Sequence, residues 1–116
     1  MRTRSNIETR IVAILEGVVP IVAYMDDADT LPYVCYLVRS DEPNMVKCGE
    51  ITSWKTGLSI LICADSKVWA DGTADDIIQA ISAARSSDFS AKLLSRVAER
   101  AEDAWVIEID YEIITK

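Results

Sequence analysis

From Ala104 to Ile114 the chain alternates. Trp105, Ile107, Ile109, Tyr111 and Ile113 fall on one side, and Glu108, Asp110 and Glu112 on the other. Successive side chains of a β-strand point to opposite faces, so this run is a strand with one apolar and one wet face. A sheet built on such a strand needs a cover for its apolar face. Two stretches of helical period supply it. Ile7, Ile11, Ile14, Leu15 and Val18 recur at helical spacing behind Ser5-Asn6-Ile7-Glu8, which has the form of a capping box, and Gly17 and Pro20 end that helix. A second helix is predicted over Ala74–Ala84, with Ile77, Ile78, Ala80, Ile81 and Ala84 on its buried side. Thr73 or Asp71 would cap it, and Asp75 and Asp76 would complement its dipole.

The remaining apolar runs read as strands. Ile21–Met25 is short, and Asp26–Thr30 after it is an acidic turn. Pro32 opens the next strand, where its missing N–H costs least. Tyr33–Val38 is apolar on both faces, as expected of a strand that is central or covered by a partner. Ser40–Ser53, with Pro43, Asn44 and Gly49, reads as a long polar loop, a length often tied to function. In Trp54–Ala64 the residues Trp54, Thr56, Leu58, Ile60 and Ile62 share one face, and Lys55, Gly57 and Ser59 the other. Ser90–Ala101 fits a helical stripe (Leu93, Leu94, Val97, Ala98, Ala101) or a strand. A hairpin turning near Arg100–Asp103 would set Arg96 opposite Glu108 and Lys92 opposite Glu112, and opposite charges across strands favour the hairpin. The fold class is therefore α+β: an antiparallel sheet of about five strands with two helices on one face, in a single domain over residues 1–116.

The 116 residues contain no histidine, and their net charge is −7. Without histidine the usual base for a serine or cysteine nucleophile is missing. No glycine-rich phosphate loop occurs. Cys35, Cys48 and Cys63 are widely spaced and make a poor zinc site; Cys35 and Cys63 fit small core positions. Asp26, Asp27 and Asp29 suit a solvated turn better than a cation site. Asp65–Asp76 is no calcium loop, because Lys67 and Trp69 stand where oxygen ligands belong. No cofactor or metal is expected. An acidic chain is a poor sequence-specific nucleic-acid binder, and no apolar run approaches the ~18 residues of a membrane span. Met1–Arg4 is basic, but no signal-peptide pattern follows. Glu108, Asp110 and Glu112 read as a wet face paired with Lys92 and Arg96. Trp105 fits the core; Trp69, read in a loop among polar residues, fits an interface or local packing equally well.

The order of segments resembles a phage family. An amphipathic helix, a strand, an acidic turn and Leu31-Pro32-Tyr33-Val34-Cys35-Tyr36 come first. A polar loop, a long strand ending in Ala64-Asp65, a helix of small and aliphatic residues and a C-terminal hairpin closing on Trp105–Thr115 follow. This is similar to the tail-completion proteins of siphophages, the lambda-type tail terminator and tail-to-head joining proteins. The resemblance implies a non-enzymatic structural protein of a phage or prophage. It would form a ring, typically of six subunits, that caps the tail tube and meets the head-tail connector. Its partners would be its own copies, the tube protein and the connector. Its location would be the virion tail, after synthesis in the host cytoplasm. Tyr33, Tyr36, Met45, Val46, Trp54 and Trp69 are the candidate interface residues. The alternative is a small α+β ligand-binding or regulatory module.

Overall fold

The computed structural model of the protein describes residues 4–19, 22–24, 32–45, 49, 51–102 and 104–116. The elements run α1 (Arg4–Glu16), β1 (Val22–Tyr24), β2 (Tyr33–Met45), β3 (Ile51–Ala64), α2 (Lys67–Ala83), β4 (Phe89–Ala101) and β5 (Ala104–Thr115). They make one five-stranded sheet in the order β1-β2-β3-β5-β4. Four strands, β2-β3-β5-β4, pair antiparallel, whereas β1 pairs parallel with β2 over Val34–Tyr36. The α+β class stands, but the sheet is not antiparallel throughout. A parallel neighbour requires a crossover connection, and the one between β1 and β2 lies outside the described residues, as does the acidic turn Asp26–Thr30.

The core lies between the helices and one face of the sheet. Ile7, Ile11 and Leu15 of α1 and Ala70, Ala74, Ile77 and Ile81 of α2 are buried in one cluster with Val34, Tyr36, Val38, Leu58, Ile60, Ile62, Ile107, Ile109, Tyr111 and Ile113. The alternation in β3 and β5 sets this directly. Ile60 faces Ile109, Leu58 faces Tyr111 and Ile62 faces Ile107, so three cross-strand pairs form a continuous apolar ladder beneath the helices.

Three expectations are corrected. Ser40–Ser53 is not a loop, because β2 continues to Met45 and β3 begins at Ile51. The segment forms a two-stranded arm, tied by Asn44 donating to Ser53 at 2.9 Å and Thr56 donating to Asp41 at 2.7 Å. Pro43 misled the reading; proline is tolerated where a strand lacks a neighbour to receive its N–H. Helix α2 starts at Lys67 rather than Ala74, capped by Ser66, whose hydroxyl accepts from the Trp69 N–H at 3.3 Å. Asp71-Gly72-Thr73 lies inside that helix, with Thr73 facing the core. Ser5, read as a cap, lies within α1.

Ser90–Ala101 belongs to a strand, and Lys92 does face Glu112. The second expected pair fails. A register shift between Leu93 and Ser95 advances the strand by one residue, so Arg96 faces Ile109 and Val97 faces Glu108. Arg96 thereby turns to the helix side and pairs with Asp75 of α2 at 2.7 Å and Asp71 at 3.6 Å. A bulge reverses which face each later side chain takes, and here it trades an exposed charge pair for a tie between sheet and helix. The β4–β5 turn sits where expected, with Glu102 left-handed at φ 47°.

Ile60 is wholly buried at the centre of the ladder. Ile60→Ala is expected to destabilise the protein by about 2–5 kcal/mol, the range for truncating a large buried aliphatic. Urea unfolding followed by circular dichroism checks this.

Candidate assembly surface

The face of the sheet turned away from the helices carries Tyr33, Cys35, Leu37 and Arg39 from β2, Lys55, Gly57, Ser59, Leu61 and Cys63 from β3, and Val106, Glu108, Asp110, Glu112 and Ile114 from β5. Its charges are organised around a serine. Ser59 is fully buried, accepts from Arg39 Nε, and donates to Asp110 Oδ1 at 2.6 Å. Ser95 donates to the other oxygen of Asp110 at 3.0 Å. The network spans four strands, and it satisfies a hydroxyl whose burial alone would be unfavourable. Arg39 also reaches Glu108 at 3.4 Å, and Lys55 reaches Glu112 at 3.7 Å. The acids of β5 are thus matched, though not by Lys92 and Arg96 as the alternation had suggested.

Cys35 and Cys63 are free thiols, both buried on this face. Burial raises the Cys35 thiol to a pKa of about 11, which makes it a poor nucleophile at neutral pH. The hydrogen bond with Cys63, followed by burial, raises Tyr33 from its ordinary 10.0 to about 12. Cys48 lies outside the described residues. Among the described residues no three His, Cys, Asp or Glu side chains gather as a metal-holding group, and no helix is long and apolar enough to cross a membrane.

The six candidate interface residues do not share one surface. Tyr33 is half-buried on the helix-free face, and Tyr36 is buried in the core. Trp54 is half-buried opposite Pro43 at the root of the arm. Trp69 is 37% exposed in the first turn of α2, rather than in a loop. Met45 is 61% exposed on the arm, and Val46 lies outside the described residues. Trp105 is half-buried, with Lys67 and Arg100 each 5.4 Å from its ring.

The larger exposed apolar set was hidden in the sequence. β4 forms one end of the sheet, and its outer side pairs with no described strand. Leu93, Leu94 and Val97 on it are each at least 42% exposed. An edge with apolar side chains and unused backbone groups is a template for another chain. The signal was present as a helical stripe; only the strand assignment turns those residues outward.

A chain in the solved structure of the virion of a native gene transfer agent (GTA) particle is similar to this one at 16% identity and a TM-score of 0.57. The match covers 90% of this chain and 83% of that chain. At this identity the likeness is one of fold. No protein-family model and no curated protein matches the sequence.

Ser59→Ala is expected to cost about 1–3 kcal/mol, because it breaks the link between Arg39 and Asp110 and leaves buried polar groups unpaired. Ser95→Ala, which removes one peripheral bond, is expected to cost less; denaturant midpoints of the two variants check the order. In an alkaline ultraviolet titration, the Tyr33→Phe difference is expected to place Tyr33 ionisation near pH 12. Its folded value lies above its ordinary one. Its contribution to stability is therefore whole below about pH 10 and lost as pH rises toward 12.

Proposed function

We propose that the protein is a structural component of a phage-like virion that acts in the tail. It forms a ring on the end of the tail tube and joins tail to head. The observation that carries this reading is the likeness in fold, over 90% of the chain, to a chain of a gene transfer agent virion. The order of segments supports the tail-terminator role within that class. In this reading the chain performs no catalysis, and its partners are its own copies, the tube protein and the head-tail connector. It waits in the host cytoplasm until the tube is finished.

The surface chemistry fits such a role. Assembly proteins bury exposed apolar edges against partners, and a head-to-tail ring needs two different complementary surfaces on every subunit. The chain presents one at the β4 edge and another on the β2–β3 arm. Its acidity suits a channel wall that lets nucleic acid slide by without gripping it.

The test is reconstitution with purified tail-tube protein. Electron microscopy is expected to show tubes carrying a ring at one end, with tube length uniform only when the protein is present. Bare tube ends at saturating protein, or virions that assemble normally when the gene is deleted, would overturn the reading.

A further inference from the structure

Resting on the ring reading above, we infer how neighbouring subunits join. The outer edge of β4 in one copy receives the Glu42–Met45 segment of β2 from the next.

Direction is the first support. In the order β2-β3-β5-β4 the antiparallel strands alternate, so β2 and β4 at the two ends run oppositely. When a second copy is placed beside the first with its sheet facing the same way, its β2 meets β4 antiparallel. The alternation simply continues across the boundary. Among the described residues β1 does not block this, because it pairs with β2 over Val34–Tyr36, well short of the arm.

Charge is the second support. In a chain of net charge −7, β4 carries Lys92, Arg96 and Arg100 against Glu99 alone. The outer part of β2, Ser40–Met45, carries Asp41 and Glu42 and no base. The same charges disfavour the other simple use of the edge. A two-fold pairing of β4 with itself would set a basic strand against a basic strand.

The faces agree as well. On β4, Lys92 points to the helix-free side, where it faces Glu112, and Lys92 makes no ion pair with a described residue. On β2, Glu42 faces Lys55 and so points to that same side. On the helix side, a groove between α2 and β4 is lined by Ile78, Ile81, Ala91, Leu93 and Tyr111. Met45 follows Asp41 and Pro43 on the helix side of the arm, and it is 61% exposed. A sheet continued between copies thus sets an acid toward a lysine on one face and a methionine toward an apolar groove on the other. Pro43 has no N–H to give, so side chains carry more of the join than the backbone ladder does.

Disulfide trapping tests this in a Cys48→Ser background, leaving the buried Cys35 and Cys63 in place. Chains carrying both Pro43→Cys and Ala91→Cys, which face each other on the helix side when Glu42 lies opposite Lys92, are expected to oxidise into a ladder of linked oligomers that ends at the ring size. Either cysteine alone is expected to give no ladder. Bridging needs Cβ atoms about 4 Å apart, so the trap reports adjacency and not mere collision. Independently, Glu42→Lys and Lys92→Glu are each expected to weaken self-association roughly fivefold in sedimentation velocity, and the two together in one chain to restore it. Rings that form on tubes without any 43–91 link would overturn this join and leave the ring reading standing. Efficient dimers from Ala91→Cys alone would overturn it in favour of the two-fold pairing. A chain that neither links nor associates, with or without the tube protein, would overturn both.

Discussion

The structure depends on the pairing of β3 with β5. These two strands lie at the middle of the sheet, and their facing pairs Leu58–Tyr111, Ile60–Ile109 and Ile62–Ile107 form the floor on which both helices rest. Register here is not adjustable. A slip of one residue would drive Glu108, Asp110 and Glu112 beneath the helices and turn the isoleucines outward. Burial of those side chains specifies the register, and the register then decides where every charge on the opposite face lies.

That opposite face is polar but not loose. Asp110 sits between Ser59 and Ser95, while Glu108 and Glu112 each meet a base from β2 or β3. The exposed ion pairs contribute little singly. The buried Ser59 is a different matter, because a hydroxyl removed from water without partners is costly. Arg39 and Asp110 on either side make that burial tolerable, and the serine in turn holds the arginine over the sheet instead of at its edge.

The perimeter of the sheet is where it is least protected. Natural edges are commonly blunted by charge, proline or a bulge. The β2 arm has Pro43 and two acids, and β4 has a bulge and three bases, yet β4 also exposes Leu93, Leu94 and Val97. The blunting is partial at each end and opposite in charge between them. This pattern would limit uncontrolled self-pairing while leaving the two unlike ends complementary, as the proposed ring requires.

Period and charge in the sequence determined the strand β5, the helix-facing side of β3, the stripe of α1 and the α+β class, because each rests on a local alternation that burial makes obligatory. The register that sets Lys92 opposite Glu112 was legible for the same reason, although Lys55 holds that acid. Tertiary structure decided the rest. The arm reads as a loop because its strands support each other outside the core and need no apolar pattern. The start of α2 at Lys67 depends on the capping hydroxyl of Ser66 rather than on the later apolar stripe. The bulge after Leu93 leaves no mark in the sequence, yet it alone sends Arg96 to α2 and hands Glu108 to Arg39. The exposed β4 edge could be seen only once its residues were placed at the end of a sheet, since the same leucines and valine would have served a buried helix equally well.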